Sequence, residues 1–463
     1  MDADVLIAGG GPAGASCALR LSQYGHEVLL VDVLDRGEGK RQHVGESLPS
    51  SIRVVLATLG IELPPEVVVK RPPSHLVYWG GMQGGRSWVE VPERESSLLV
   101  WRGPFDRFLR EAATAGGARL LSDAVSQVKR SRGAVEIRTV GGAELRGRFF
   151  VDATGRSGVL ARSYRRKERR FRTLALTGHF LTEETDSPTI VEGFDDGWIW
   201  TAPLANGLRD VTVMLEASER GSDRISRFRS ALGRAPNVSS LVSGASLEGS
   251  LRGIDATPYD ASRFCGADFL LAGDAASFLD PLSAHGVHKA MDGALLAAVT
   301  AHTILQRPER ASDASEFYHH RESAIYRITT ERLRALYRQE TRFETSLFWR
   351  KRSEGPVGEE VPPVRRPPLS ENAALRGSGA VSEAPVVEGD FIERREVLVA
   401  PGRQRPVRFL GAVCLPDLYK DVLSTGSALE AARRSPAGVE LALAAVDWLY
   451  REGYLEPRDS PEL

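Results

Sequence analysis

Cysteine is scarce: Cys17, Cys265 and Cys414 are the three in 463 residues, far apart and without a CxxC spacing. That excludes a disulfide framework and a cysteine zinc site, and no other metal site is expected. Cys17 falls in the first predicted helix, where a small buried apolar residue accounts for it. Long apolar runs are missing too. No stretch of about 18 apolar residues occurs, so no transmembrane helix and no membrane partner are expected. Charge of one sign is also lacking. The 60 Lys and Arg are matched by 61 Asp and Glu, a net charge of -1 that gives no global attraction to nucleic acid or anionic membrane. Basic runs such as 165–170 are short and read as solvated face. The first strand begins near Val5, leaving no room for a basic region and an apolar signal segment, so a cytoplasmic protein is expected. At 42% hydrophobic and 26% charged residues the chain is an ordinary globular one, long enough for two or three packed regions.

The first segment, ADVLIAGGGPAGASCALRLSQYGHEVLLVD, carries chemistry. An apolar strand runs into Gly9, Gly11 and Gly14, the GxGxxG spacing, with Pro12 and Ala13 between the last two. A helix follows, then a second strand ending at Asp32. Gly9 permits the tight turn, Gly11 lets backbone amides approach a pyrophosphate, and Gly14 allows close helix–strand packing. The helix N-terminus offers unpaired N–H groups and a positive dipole end to phosphates. Asp32 stands where a carboxylate accepts hydrogen bonds from a ribose diol. The motif alone does not separate FAD from NAD.

Two distant segments point to FAD. FFVDATGR (149–156) is an apolar strand ending in an acidic turn at Asp152. FLLAGDA (269–275) is a buried strand that delivers Asp274 to its carboxyl end, where ligands of open α/β sheets collect. DPLSAHGVHKAM (280–291) then opens a helix at about Ser283 to Val287, and backbone amides at that start are expected to stabilise negative charge on the N1/O2 edge of a reduced flavin.

These three motifs, in this order over roughly residues 1–350, resemble the FAD-binding pattern of the para-hydroxybenzoate-hydroxylase-type flavoproteins. GESLPSS (45–51), WRGPFDRFL (101–109), DATGRSGVLAR (152–162) and GWIWTAPL (197–204) are similar to the branch of flavin-dependent halogenases and halogenase-like monooxygenases. The resemblance implies an α/β fold: a Rossmann-type FAD-binding domain with an inserted antiparallel β-sheet substrate domain and a small, mostly helical C-terminal region. It places Gly9, Gly11, Pro12, Ala13, Gly14, Asp32, Gly45, Glu46, Ser47, Arg102, Asp152, Asp274, Pro281, Gly286 and Val287 around FAD. Arg102 also reads as a surface arginine before a helix. The FAD-binding domain is assigned to 1–69, 101–168 and 257–305, and the substrate sheet to 70–100 and 169–256. The latter segments alternate as strands do. A long helical segment covers 306–352, and its aromatics pack on the domain. Residues 353–369 are a Pro-rich linker.

No second GxGxxG follows a strand, and GGMQGG (80–85) reads as a glycine-rich hairpin or loop. Electrons are therefore expected from NAD(P)H bound transiently or from a separate flavin reductase. Halogenases of this type carry a WxWxIP motif and an active-site lysine. Here Trp198, Trp200 and Pro203 are kept, but Ala202 stands where isoleucine is expected. Core packing beside the flavin accounts for the two tryptophans, which share a strand face. Lys70 lies in the region of that lysine, with a longer spacing to Trp79, and a solvated lysine is the simpler account. His285, before Gly286, replaces the usual Ser or Thr; it reads equally as a proton shuttle or as a packed histidine donating to a carbonyl. His179, on a predicted strand of the substrate sheet, is a second acid/base candidate, or a strand-face polar residue. These departures set oxygen transfer through a C4a-hydroperoxyflavin, hydroxylating an indole or phenol, ahead of halogenation. An alkene-reducing flavoprotein is a third reading.

The closing region, 370–463, shows short strands (397–398, 407–410) and a final helix, 438–451. Its LALAAVDWLYREGYLEP ending resembles a winged-helix unit, without a basic recognition stripe for nucleic acid. A lid or a docking surface for a carrier or peptide is the more economical use. With GESLPSS and DPLSAHGVHKA, this tail is most similar to the monooxygenases that mature quinone cofactors, particularly those hydroxylating a Trp of quinohemoprotein amine dehydrogenase. That resemblance implies an aromatic substrate held on a protein or carrier.

Overall fold

The computed structural model describes residues 1–34, 45–69, 75–80, 87–89, 97–131, 133–182, 187–204, 207–217, 223–355, 369, 374–400 and 406–458. These form two compact units, Met1–Val357 and Gly358–Leu463. Most of the expected 353–369 linker, and most of GGMQGG, lie outside the described residues.

The first unit is built on two seven-stranded sheets. In one, Arg119–Ser122, Val28–Asp32, Ala3–Ala8 and Glu144–Asp152 lie side by side and parallel, with Phe269–Leu271 parallel to the last. Strands covered on both faces need continuous apolar sequence, and Val5, Leu6, Ile7, Phe149, Phe150 and Val151 are fully buried. Ala134–Thr139 and Val125–Ser131 extend this sheet antiparallel. Helix Pro12–Gln23 packs against Gly286–Gln306, and both bury several alanines, whose small side chains allow close approach.

The second sheet runs Ser246–Asp255, Thr173–Leu181, Leu208–Glu216, Gly197–Pro203, Thr189–Phe194, His75–Tyr78, Ser87–Val89. It is antiparallel except where Thr189–Phe194 meets His75–Tyr78. Period-two alternation divides its side chains. Leu176, Phe180, Ile190, Phe194, Ile199, Val211, Val213 and Leu215 pack under Phe228, Ala231 and Val238 of two short helices. The opposite face carries Ala175, Trp198 and Met214. Helix Ala311–Gln339 and helix Leu347–Ser353 supply Tyr337, Phe348 and Trp349 to that second cluster, whereas Tyr318 of the longer helix is buried with its hydroxyl donating to the Leu271 carbonyl.

The second unit has its own core. Hairpin Ala380–Glu388 with Phe391–Val399 joins helices Leu415–Thr425, Ala428–Arg434 and Val439–Arg451 around Leu398, Leu418, Val422, Val446 and Leu449. No helix among the described residues is long and apolar enough to cross a membrane.

Candidate active site

The end of Ala3–Ala8 is shaped by contact. Gly9 has φ +96°, and a Cβ there would lie 2.4 Å from the Ala153 carbonyl oxygen. A Cβ on Gly14 would lie 1.8 Å from the Gly9 oxygen, so both glycines are demanded by the protein itself. Gly11 differs. A Cβ there meets no atom within 4 Å, and the residue lines a cavity, so its bare backbone leaves room for a ligand. Helix Pro12–Gln23 begins beside it with proline in the first turn and no side-chain cap, which leaves its first N–H groups facing the cavity. Asp32 closes its strand, lines the same cavity and pairs with Arg110 at 3.5 Å.

This cavity is about 1230 Å³. Small-ligand pockets run about 300–1,000 Å³, so the space accommodates a dinucleotide and a substrate together. It is lined by Gly9, Gly11, Pro12 and Ala13, by Gly45, Glu46, Ser47 and Arg102, and by Asp274, Pro281, Gly286 and Val287. Segments some 270 residues apart thus converge where the sequence placed FAD. Gly14 and Asp152 are not in the lining. Asp152 is fully buried, and its carboxylate accepts from the Thr154, Leu160 and Ala161 amides at 2.7–3.0 Å. It shapes the turn whose Thr154, Gly155 and Arg156 do face the cavity.

Elsewhere in the lining, strand Gly45–Leu48 pairs with Leu98–Trp101, and Arg102 opens the following helix. The Arg102 Nε donates to Asp106 at 2.9 Å, and its Nη1 pairs with Glu46 at 3.5 Å. Burial works against the Arg102 charge, but Asp106 and Glu46 outweigh it and hold the guanidinium above its ordinary range. Burial pushes the Glu46 carboxyl up, with Arg102 opposing. Asp274 is likewise pushed up by burial, with Lys289 and three arginines opposing. Lys289, absent from the sequence reading, is buried; its Nζ donates to the carbonyls of Gly273 at 3.1 Å and Ser277 at 2.6 Å. A charged residue three positions into an apolar helix was the available signal. Sequence alone does not say that its amine reaches back to the Asp274 turn.

The sheet forms the other wall. Cross-strand register aligns Arg252, Thr177, Thr212, Trp200, Val191 and Val77 in one row, and all six line the cavity. Trp198 and Met214, also lining it, stand in the next row. The Trp198 Nε1–H donates to the Tyr337 hydroxyl, which donates to Asp280. Neither Tyr337 nor Asp280 was singled out in the sequence. Ala202, on the face of Trp198 and Trp200, is fully buried against Leu99 and Leu204.

Neither of the two described catalytic candidates, His285 and His179, lines the cavity. Lys70 lies outside the described residues. His285 is exposed at the N-terminus of helix Gly286–Gln306, its Nδ1 on the Ser283 carbonyl. His179 is buried, with Nε2 3.6 Å from Asp210, and is not in the cavity lining.

A Rossmann-type glycine turn, a carboxylate at the second strand, and distant Arg102, Asp274 and Gly286 around one cavity define an FAD-binding flavoprotein. An FAD-binding domain model matches residues 2–44, and a tryptophan halogenase model matches residues 95–365. The chain belongs to the tryptophan halogenase family and binds FAD. A tryptophan 2-halogenase of Chondromyces crocatus is 29% identical over 336 residues, 68% of this chain and 64% of that protein. The chain therefore spans less than two thirds of that relative. A flavin-dependent halogenase of Armillaria mellea, armH1, is 26% identical over 404 residues, 75% of this chain and 74% of that protein. Among solved structures, the peptidyl tryptophan dihydroxylase QhpG superposes with TM-score 0.75 at 25% identity, covering 98% of this chain and all of that one. The flavin-dependent halogenase CmlS superposes with TM-score 0.79 at 23% identity, over 99% and 96%, a likeness of fold.

Proposed function

We propose that this flavin enzyme oxidises an electron-rich aromatic, an indole or phenol, against the Trp198–Trp200 wall, and that halogenation is its first reading. Membership of the tryptophan halogenase family, with the halogenase-named relatives, carries that reading and moves it ahead of the hydroxylation expected from the sequence. Hydroxylation is the second reading. It is favoured by the end-to-end likeness to a peptidyl tryptophan dihydroxylase, and by Ala202 and His285 where halogenases carry other residues. A protein-held or carrier-held substrate belongs to this second reading.

When bound and reduced, FAD supplies the activation of dioxygen. The chain's own groups do the rest. The amides at the start of helices Pro12–Gln23 and Gly286–Gln306 face phosphate and flavin charge. Asp32 and Asp274 accept from sugar hydroxyls. Arg102, held between Asp106 and Glu46, fixes the wall beside the flavin. Trp198, pinned by Tyr337, and Trp200 offer flat apolar faces that orient an aromatic ring and keep water away. Reduced flavin comes from a separate reductase or from NAD(P)H bound at the surface.

Product mass decides. FAD-loaded protein, reduced anaerobically with an indole and then given labelled dioxygen with and without bromide, yields a brominated product under the first reading. Label incorporation that ignores halide establishes the second. Absence of either product removes both.

A further inference from the structure

Within the cavity's six-residue row lies a polar pair beside the aromatic wall. Thr177 and Thr212 are cross-strand neighbours with their hydroxyl oxygens 2.9 Å apart. The Thr212 oxygen is also 2.9 Å from Asp210 Oδ1. Asp210 and Thr212 are two residues apart on one strand, so both side chains stand on the cavity face. Asp210 is 1% exposed, with the His179 ring against its second oxygen.

The direction of this chain follows from counting protons. A hydroxyl has one proton and two lone pairs, and a carboxylate only accepts. Thr212 therefore donates to Asp210, and Thr177 donates to Thr212. Both protons are committed inward, so Thr177 turns an acceptor to the cavity. Thr177 is two strand spacings, about 10 Å, from Trp200 in the same row. On its other side it neighbours Arg252, which lines the cavity as well.

We propose that the Thr177 hydroxyl accepts the ring N–H or O–H of the aromatic substrate, and that Thr177, Thr212 and Asp210 relay that proton away as the ring is attacked. The proposal rests on the aromatic-substrate reading above. In the relay the substrate's X–H bond breaks and its electron pair stays on X, entering the ring. Thr177 gains that proton and passes its own to Thr212. Thr212 passes its own to Asp210, where an O–H bond forms. One proton moves from substrate to Asp210, and nothing in the relay is oxidised or reduced. Arg252 sets a positive charge beside the atom that keeps the electron pair. Thr177 is the catalytic residue here; Thr212, Asp210 and His179 are positioning residues.

The test is titration of FAD-loaded protein with indole and 1-methylindole, and with phenol and anisole, followed by the flavin absorbance change. The wild-type protein should hold each N–H or O–H compound about tenfold more tightly than its methylated partner. Thr177→Val should bring the members of each pair within about twofold, at unchanged flavin content, and Thr177→Ser should restore the difference. Asp210→Asn should cut single-turnover product formation about 10²-fold while indole affinity changes far less. Equal affinity for both members of each pair in wild type, or a preference that survives Thr177→Val, overturns the relay and leaves the aromatic reading standing. A flavin spectrum that responds to none of the four compounds overturns both.

Discussion

The indole N–H of Trp198 donates to the hydroxyl of Tyr337 at 3.1 Å, and that hydroxyl donates to Asp280 at 3.0 Å. All three residues are at least 96% buried. Tyr337→Phe leaves a buried indole N–H without its acceptor and the buried Asp280 Oδ2 without its donor, while the Leu282 N–H still donates to Oδ1. The expected loss is about 2–4 kcal/mol of stability, measured by urea unfolding of the FAD-loaded protein. Because Trp198 also lines the cavity, product regiochemistry should broaden in the same variant. Unchanged stability would mean that the indole is held by packing alone.

Gly14→Ala and Gly11→Ala separate folding from cofactor binding. The Gly14 Cβ collides with the Gly9 carbonyl, so that variant should lose both bound flavin and native circular dichroism. The Gly11 Cβ enters open cavity, so that variant should fold normally and bind FAD at least about tenfold more weakly. The readouts are visible flavin absorbance and the circular dichroism melt. Equal behaviour of the two variants would contradict the placement of the phosphates.

Ala284 has φ +51°, the one non-glycine residue with positive φ among those described, in the turn before Gly286. Holding a side chain there costs about 1–2 kcal/mol. Ala284→Gly should therefore raise the melting temperature slightly, and Ala284→Val should lower it by several degrees. A melting point that rises in Ala284→Val would show that this backbone is unstrained.

Glu46, Asp274, Asp280 and Glu322 all have carboxyls pushed up, chiefly by burial. A carboxyl raised in the folded state holds its proton more tightly there than when unfolded, so stability falls as pH rises through that interval. The window opens at the ordinary values of 3.8 for Asp and 4.5 for Glu and extends upward. Burial also lowers His26, His75, His288 and His319 from 6.5, which acts oppositely below that value. Glu322→Gln in FAD-free protein, which leaves those histidines in place, should therefore raise the melting temperature more near pH 7 than near pH 5. Glu168, held down at about 2 by Arg170 against its own burial, acts oppositely and only below the ordinary glutamate range. An equal change at both pH values would show that burial does not raise the Glu322 carboxyl.

The Rossmann half of the fold was legible because its constraints are local. Glycine spacing, a buried strand and a terminal carboxylate lie within 32 residues, and each has one physical purpose. Asp274 and Gly286 were legible for the same reason. Register across the substrate sheet was not. That Arg252, Thr177, Thr212 and Trp200 share one row depends on pairings between strands up to 75 residues apart, and on a register irregularity between Thr177 and His179. His179 read as a candidate acid/base from its strand, yet its polar neighbour Asp210 became visible only through that pairing. Tyr337 was one aromatic of many on a long helix. Nothing in sequence marks the one whose hydroxyl meets a tryptophan.

Lys289 joins two parts of the cavity lining that are separate in sequence. Its amine ties the Gly273 and Ser277 carbonyls, either side of Asp274, to the helix whose first residues are Gly286 and Val287. The turn that carries Asp274 and the helix that begins at Gly286 therefore behave as one rigid element of the cavity wall.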